Sequence, residues 1–337
     1  MTINRRFDVY GVGNALVDIL ALVDDSVITD LLLNRGSMML MSSAEQAAVL
    51  QKIEGHPVKL ASGGSAANTM IAIAQSGGTG YYAGKVSHDP HGEFYRKDMV
   101  AAGIGFEVPL APENGIPTGS SVILTTPDAE RTMCTHLGVS TTLSPCDIHV
   151  DHLQLCKFAY IEGYLWDADE PRAACLEAMR QAKRIGIPVS FTFSDSFLID
   201  RFAQDFAAMI VEHCDILFCN ADEARQFCGT DSLDECGKRL GRDVPLVFLT
   251  NSAEGCYVIA NSTSTHVPGF RVNAIDTVGA GDAFAGGTLY GLSRGWPAAQ
   301  AARWGNFLAS RVVAINGPRL PQSLRDQMPG VLDGSVK

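Results

Sequence analysis

Short apolar runs with strand character alternate with helical patterns along most of the chain. Residues 7–13, 80–85 and 158–162 have the composition of strands, and residues 65–76 and 280–294 have the pattern of helices. Strands that alternate with helices form a mostly parallel sheet that is covered by helices on both faces. The sequence therefore predicts an α/β fold of three layers, with a mostly parallel central sheet between two layers of helices.

Two stretches, residues 16–40 and 106–133, depart from this alternation because they are strand-rich without a helix between the strands. We predict that they pack together as a small antiparallel β-strand lid over the sheet, although they could also extend an edge of the main sheet. A lid over a reaction site excludes water from it. The predicted division is a main α/β domain of residues 1–15, 41–105 and 136–337 and a lid of residues 16–40 and 106–135.

The net charge of −11 argues against a nucleic-acid polymer or an anionic membrane as the partner, but it leaves room for a small phosphate ligand. With 46% apolar and 19% charged residues among 337, the chain has the composition of a globular protein. The sequence contains no signal-peptide core, no bilayer-spanning stretch and no Cys-x-x-Cys pair among its nine cysteines. We therefore expect a cytoplasmic protein whose cysteines are reduced.

The most informative motif is the segment DTVGAGDAFAGG at residues 276–287, where Gly279, Ala280 and Gly281 precede Asp282 and an apolar helical run. The first turn of a helix leaves backbone N–H groups unpaired, and these attract an anion, phosphate above all. The segment therefore predicts a phosphate pocket with a carboxylate beside it, which suits the transfer of a phosphoryl group to a hydroxyl. The alternative is a tight turn with an acid that the helix dipole favours.

Three further polar clusters follow predicted strands. The segment GNALVD runs from Gly13 to Asp18, the glycine pair Gly63-Gly64 opens a helix that contains Asn68, and the segment NADE at 220–223 follows an apolar strand. Each cluster alone is compatible with a structural role, since Asp18 could be a surface charge and Asn68 a polar helix residue. Two His-x-x-His pairs, His88/His91 and His149/His152, also permit a metal site, but no second cluster has zinc-like spacing.

Together the first three clusters and the segment 276–287 closely resemble the ribokinase/PfkB carbohydrate-kinase family. Gly63-Gly64 with Asn68 matches the N-terminal motif of that family, and residues 276–287 match its C-terminal motif. The resemblance extends from Asp8 to about Leu320. Within the family the chain is most similar to the adenosine-kinase branch, on the basis of residues 13–18, 130–133, 161–164 and 304–310.

The resemblance implies ATP-dependent phosphorylation of a sugar hydroxyl with Mg²⁺. It assigns Asp282 as the base that takes the proton of the acceptor, and the backbone N–H groups of Gly279, Ala280 and Gly281 as the anion hole. Arg131 corresponds to the basic residue that swings toward the phosphates in the family. The alternative for Arg131 is a surface salt bridge with Glu130 or Asp128.

Substrate-binding roles also follow from the resemblance. Asp18 can accept two hydrogen bonds from the vicinal hydroxyls of a ribose, with Asn14 and Asn68 beside it. Gly63 and Gly64 let the sugar lie against the backbone. The resemblance further implies that Asn220 and Glu223 organise Mg²⁺ through water, that Thr250, Gly255 and Asn306 line the ATP pocket, and that a monovalent cation, K⁺, is compatible with the family.

The chain departs from the adenosine-kinase pattern at residues 37–41, which are apolar and lack the glutamine that such kinases often place on a lid strand. Tyr164 and Trp166 still offer an aromatic surface for a base. The leading hypothesis is a kinase for the 5′-hydroxyl of a ribonucleoside, adenosine above all, that acts as a monomer or homodimer. The alternatives are a hexose or pentose kinase of the same family and a non-catalytic nucleotide or sugar sensor.

Overall fold

The computed structural model describes residues 5–108, 111, 115–128, 130–261 and 263–336. Fourteen strands are described, in chain order: β1 Phe7–Val12, β2 Leu16–Leu22, β3 Met38–Leu40, β4 Val58–Gly63, β5 Gly80–Ala83, β6 Ile104–Gly105, β7 Thr118–Thr125, β8 Arg131–Gly138, β9 Cys156–Glu162, β10 Val189–Thr192, β11 Ile216–Asn220, β12 Leu246–Thr250, β13 Gly255–Ala260 and β14 Thr263–Pro268.

Twelve α-helices are described with them: α1 Asp25–Asp30, α2 Ser43–Lys52, α3 Ser65–Gln75, α4 Pro90–Ala101, α5 Val150–Leu153, α6 Asp169–Arg184, α7 Ser196–His213, α8 Ala221–Cys228, α9 Leu233–Asp243, α10 Ala280–Ser293, α11 Ala298–Val312 and α12 Met328–Asp333. None of the helices in this described part is long and apolar enough to cross a membrane. All nine cysteines are free, and most are buried.

The main sheet confirms the predicted α/β fold. Its nine strands have the order β14-β13-β12-β11-β10-β9-β1-β5-β6, and every neighbouring pair from β12 to β6 is parallel. The central strands are buried on both faces, as expected of parallel strands between two helix layers. On one face Trp166, Phe191 and Phe206 pack edge to face beside α6 and α7, and on the other face α3, α10 and α11 pack together.

Two glycines of the segment 276–287 serve this second helix layer. A Cβ on Gly286 would lie 2.6 Å from the Thr69 carbonyl oxygen of α3, and a Cβ on Gly287 would lie 3.0 Å from the Gly305 Cα of α11. Because both glycines bring helix backbones close together, this end of the motif packs α10 rather than binding a ligand.

A second, smaller sheet has the strand order β3-β8-β7-β2-β4, and we call it the small sheet. The prediction that it would be antiparallel is wrong, because β2 pairs with β7 and β3 with β8 in parallel. It includes β4, which lies in the range 41–105 that the sequence analysis placed in the main domain, and α1 interrupts the stretch 16–40 that was expected to lack a helix. We retain the division into a main domain and a lid as a proposal, with β4 added to the lid.

One face of the small sheet is covered by α2, and the other faces the main sheet. The predicted capping box is present at the start of α2, where Ser42 and Glu45 bond each other's backbone N–H groups. The buried Gln46 then donates from Nε2 to the carbonyl oxygens of Ser120 and Cys134, both at 2.9 Å. These bonds fix α2 on the outer face, so the inner face is free to form one wall of a cavity.

Candidate functional site

A cavity of about 550 Å³ lies between the carboxyl ends of the main-sheet strands and the inner face of the small sheet. The carboxyl ends of parallel strands are the usual place for a ligand in such folds. Asn14, Glu162, Thr192, Asn220 and Thr250, at or just after the ends of five neighbouring strands, form its floor. The cavity is therefore built by the topology of the sheet and covered by the small sheet.

Most of the residues that the sequence singled out line this cavity. Those that do are Asn14, Asp18, Gly64, Asn68, Asn220, Glu223, Thr250, Gly279, Gly281 and Asp282. Gly63, Ala280, Arg131, Gly255 and Asn306 lie outside its lining.

The turn before α10 presents backbone amides to the cavity. Gly279 precedes the helix with φ +78°, and a Cβ there would lie 2.4 Å from the Pro318 carbonyl oxygen, so only glycine fits. Among the described residues, no protein group accepts from the N–H groups of Gly279 and Gly281. The Ala280 N–H, by contrast, donates to the Thr277 carbonyl oxygen at 3.3 Å. Two of the three predicted amides are thus available to an anion.

Asp282, the third residue of α10, is held in place by two donors from α3. Its Oδ1 accepts from the Ser65 hydroxyl at 2.6 Å, and its Oδ2 accepts from Asn68 Nδ2 at 3.0 Å. Burial raises the pKa of Asp282 to about 6, although both hydrogen bonds lower it. The carboxylate is therefore fixed in orientation and mostly ionised at neutral pH. The sequence reasoning missed Ser65, although it directly follows the glycine pair Gly63-Gly64.

Asp18, on the inner face of the small sheet, is also buried, but none of the described residues donates a hydrogen bond to its carboxylate. Burial raises its pKa to about 6, and the charges of Arg319 and Arg131 lower it. A Cβ on Gly63 would lie 2.1 Å from Asp18 Oδ1. Gly63 thus makes room for the Asp18 carboxylate.

Asn14 is held by the protein. Its Nδ2 donates to Glu162 Oε1 at 3.1 Å, and its Oδ1 accepts from the Ser140 hydroxyl at 2.8 Å. The sequence analysis gave Glu162 no role, yet its carboxylate also accepts from the backbone N–H groups of Asn14 and Ala66, both at 2.7 Å. Burial raises the pKa of Glu162 to about 7. Glu162 therefore ties the end of β1 to the start of α3.

Asn220 and Glu223 form a capping box at the start of α8, with Glu223 N–H donating to Asn220 Oδ1 at 2.8 Å. The Glu223 side chain is buried at the cavity edge, and burial raises its pKa to about 7. Within the described ranges, no group of three or more His, Cys, Asp or Glu side chains could hold a metal ion. One carboxylate at an open cavity suits a cation that keeps most of its water ligands.

The other predicted nucleotide residues differ in their positions. Thr250 lines the cavity at the end of β12. Asn306 is buried in α11, where its Nδ2 donates to the carbonyl oxygens of Val267 and Pro268 at 3.0 and 3.2 Å. A Cβ on Gly255, which has φ +95°, would lie 2.3 Å from the Val267 carbonyl oxygen. Asn306 and Gly255 therefore shape the end of β14 and do not line the cavity.

Arg131, the first residue of β8 in the small sheet, pairs with Asp276 in the loop between β14 and α10. Its Nη1 lies 2.8 Å from Asp276 Oδ2, and both side chains are 4% exposed. Asp276 also accepts from the N–H groups of Val278 and Gly317. The expected alternative of a surface bridge to Glu130 or Asp128 is not formed, because Arg35 pairs with both carboxylates. Arg131 thus links the small sheet to the loop that leads into the turn before α10.

The His-x-x-His pair His149/His152 lies away from the cavity. The two rings are 5.8 Å apart, and His152 stacks on Tyr81 with ring centroids 4.1 Å apart. In the described ranges, neither this pair nor His88/His91 belongs to a group of three or more His, Cys, Asp or Glu side chains that could hold a metal ion.

Comparisons with known proteins point to one family. A family model described as pfkB family carbohydrate kinase matches residues 35–324. The adenosine kinase of Saccharomyces cerevisiae is 27% identical over 330 residues, which cover 92% of this chain and 95% of the relative.

Two solved structures are more similar in sequence and nearly full-length in coverage. The adenosine kinase from Sinorhizobium meliloti is 36% identical with a TM-score of 0.89, and 96% of this chain matches 99% of that one. A probable sugar kinase protein from Rhizobium etli CFN 42 is 35% identical with a TM-score of 0.89, and 97% of this chain matches 99% of that one.

Proposed function

Because the chain belongs to the pfkB family of carbohydrate kinases, we propose that it transfers the γ-phosphoryl group of ATP to the 5′-hydroxyl of a ribonucleoside, with adenosine as the preferred acceptor. Membership of the family implies an ATP-dependent kinase, generally with Mg²⁺, that acts on the alcohol group of a small nucleoside or sugar. The observation that carries the finer proposal is the buried Asp18 carboxylate, which faces the same cavity as Asp282 and accepts no hydrogen bond from any described residue.

The acceptor end of the cavity has a polar and an apolar part. Asp18 can accept from the two vicinal hydroxyls of a ribose, and charge-assisted bonds of this kind are the stronger ones. Beside it the inner face of the small sheet presents an apolar wall suited to a flat base. That wall consists of Leu16, Met38, Ile123, Met133 and Leu137. A base can rest on these side chains without a directed hydrogen bond, and methionine adapts to several ligand shapes.

The reacting end lies at the start of α10. The Asp282 carboxylate takes the proton of the acceptor hydroxyl. At the same time the oxygen of that hydroxyl bonds to the γ-phosphorus, and the bond from the γ-phosphorus to the β–γ bridging oxygen breaks. The free N–H groups of Gly279 and Gly281 donate to the oxygens of the moving phosphoryl group. A positioned base typically raises the rate of the chemical step by ~10²–10⁴-fold, and one anion-hole donor raises kcat by roughly 10²–10³-fold.

The nucleotide end is proposed around α8 and β12. Glu223 and Asn220 would hold Mg²⁺ through its water ligands, and Thr250, which also lines the cavity, would lie beside the nucleotide. Bound Mg²⁺ supplies positive charge that neutralises the phosphates. Gly255 and Asn306 act by shaping the neighbouring β14 turn. Dependence on K⁺ remains a prediction of the family resemblance.

We propose two roles for Arg131 and Asp276. In the present arrangement the buried pair fastens the small sheet over the cavity. Arg131 Nη2 is buried and, in the described part of the chain, has no hydrogen-bond partner. If Arg131 swings toward the phosphates, as the family resemblance implies, Nη2 is the part of the guanidinium that would contact them.

A sugar kinase is the second candidate. It is favoured by the lack of a glutamine at residues 37–41 and by the similarity to the probable sugar kinase protein of Rhizobium etli. A free hexose or pentose would fill the Asp18 end of the cavity and leave the apolar wall uncovered.

An acceptor panel with Mg-ATP separates the candidates. We expect adenosine to give the highest kcat/KM, and 2′-deoxyadenosine to lose about 10- to 100-fold, because one charge-assisted hydrogen bond to Asp18 is worth about 1.5–3 kcal/mol. Adenosine lacking the 5′-oxygen should inhibit without turnover. Turnover of fructose or ribose with none of any nucleoside would overturn the nucleoside proposal in favour of the sugar kinase.

A further inference from the structure

Arg319 lies beyond α11, in a segment to which the sequence reasoning gave no role. Its side chain reaches back to Asn68, which lines the cavity: Nε donates to Asn68 Oδ1 at 2.7 Å, and Nη1 donates to the Ser62 hydroxyl at 3.1 Å. Asn68 in turn donates to Asp282 Oδ2 at 3.0 Å. A continuous chain of hydrogen bonds therefore runs from Arg319 through Asn68 to Asp282.

This chain determines which way the Asn68 amide points. An asparagine side chain can exchange its oxygen and nitrogen by a half turn about its last bond, whereas a guanidinium can only donate. Because Arg319 donates to Oδ1, the Asn68 Nδ2 group must point at Asp282. In the opposite orientation Arg319 would face an N–H₂ group, and the Asp282 carboxylate would face an amide oxygen.

We propose that Arg319 is a positioning residue of the phosphoryl transfer: it fixes Asn68 as a donor to Asp282 and places a positive charge behind the Asp18 and Asp282 carboxylates. The inference rests on the proposed function only in so far as Asp282 is the base. It assigns Arg319 no contact with either substrate.

The electrostatic surroundings agree with this role. Burial raises the pKa of both Asp282 and Asp18 to about 6. The positive charge of Arg319 acts in the opposite direction on both, and for Asp18 it is the strongest effect that lowers the pKa. Arg131 is a second cation near Asp18 and also lowers its pKa. The acids and phenols nearby are Glu162, Tyr160 and Tyr164 around Asp282, and Tyr82, Tyr95 and Asp98 around Arg319.

Three variants test the proposal in the full-length protein. Arg319→Met removes the charge and the donors at similar length, Arg319→Lys keeps the charge but loses the planar fork, and Arg325→Met removes an exposed arginine of the same C-terminal segment as a control. With the best acceptor and Mg-ATP, kcat and KM are measured between pH 5 and 9.

We expect Arg319→Met to lower kcat about 10- to 100-fold at pH 7 and to move the acidic limb of the kcat/KM profile upward by about one pH unit, since a nearby opposite charge favours the ionised carboxylate. In Arg319→Lys the acidic limb should lie close to its wild-type pH, because the positive charge is kept. Arg325→Met should match the wild type. An equal loss of activity at every pH, with the limb unmoved, would show a merely structural role and overturn the proposal.

A second readout does not depend on turnover. In protein labelled with ¹³C at aspartate carboxyl carbons, the Asp282 signal is assigned with Asp282→Asn and titrated in each variant. A midpoint that rises in Arg319→Met and falls back in Arg319→Lys supports the inference even if no acceptor is phosphorylated, in which case only the proposed function fails. An unchanged midpoint overturns it. Should Arg319→Met not fold, Arg319→Gln takes its place in both measurements.

Discussion

At the residue scale, the site contains two buried aspartates with different hydrogen bonding. The Asp282 carboxylate is held by Ser65 and Asn68, whereas the Asp18 carboxylate has no donor among the described residues. A base must be held in one orientation to take a proton, while a ligand-binding carboxylate must have open lone pairs. The two aspartates are therefore suited to different tasks, Asp282 to proton transfer and Asp18 to holding the acceptor.

Asp282→Asn should lower kcat by at least ~10²–10⁴-fold, because an amide cannot take the acceptor proton. Binding of nucleotide and acceptor, measured by isothermal titration calorimetry, should stay within a few-fold of the wild type. Asp326→Asn, on an exposed aspartate, serves as the control and should keep full activity. In the wild type, kcat/KM should fall as pH drops through about 6, where Asp282 becomes protonated. A variant with undiminished turnover would contradict the assignment of the base.

Site residues were predictable where the chemistry is local in sequence. Asp282 and the amides of Gly279 and Gly281 lie within four residues of each other, so their spacing predicted that they share one turn, either as a phosphate site or as a tight turn with an acid. Arg319 was missed because it reaches Asn68 across 251 positions of sequence, and no short motif records such a contact. Asn306 and Gly255 were placed beside the nucleotide by family resemblance, yet they stabilise a turn outside the cavity lining.

At the scale of elements, the main sheet was predictable because each parallel strand and its following helix leave a local pattern of apolar residues. The small sheet was not, because its pairings depend on distant partners: β2 pairs with β7 about a hundred positions away. The strand β4 is exposed at Val58 and Lys59 and buried at Ser62 and Gly63, so it has no alternating pattern of burial that would reveal which sheet it joins. The sequence therefore predicted where strands occur better than it predicted which strands pair with each other.

The start of α10 carries the element-scale prediction. Gly279→Ala would force a side chain into a left-handed backbone position and against the Pro318 carbonyl oxygen at 2.4 Å. We expect kcat to fall at least ~10-fold because the two free amides move, and the free energy of unfolding to fall by about 1–3 kcal/mol. Steady-state kinetics and urea unfolding measure the two effects.

Gly295→Ala is the matched control for that change. Gly295 follows the same helix with φ +77°, and a Cβ there would meet no atom within 4 Å. It should lose about 1 kcal/mol of stability from the backbone alone and keep its kcat. If both variants lost activity equally, the loss would reflect stability, and the anion-binding turn would have no special part in it.

At the scale of the whole molecule, the cavity concentrates buried acids in a chain that already carries a net charge of −11. Burial raises the pKa values of four of them, to about 6 for Asp18 and Asp282 and to about 7 for Glu162 and Glu223. Between about pH 4 and 7 the folded protein therefore holds more protons than the unfolded chain, whose carboxyls have ordinary pKa values. By linkage, these four acids contribute stability that is present below their ordinary pKa values and is lost as pH rises through this window.

Asp18→Asn isolates one part of this effect. The Asp18 pKa is 3.8 in its ordinary state and about 6 when folded, a difference that corresponds to about 3 kcal/mol at most. The variant lacks this titration, so its free energy of unfolding should exceed that of the wild type by about 1–3 kcal/mol at pH 8. The gap should close as pH falls from 6 to 4, while the KM for the acceptor rises at least ~10-fold at neutral pH. Urea unfolding across pH, with the exposed Asp205→Asn as the control, measures the gap. A gap that is equal at pH 4 and pH 8 would mean that the Asp18 carboxylate is not a destabilising charge in the folded protein. A KM that is unchanged would mean that this carboxylate does not hold the acceptor hydroxyls.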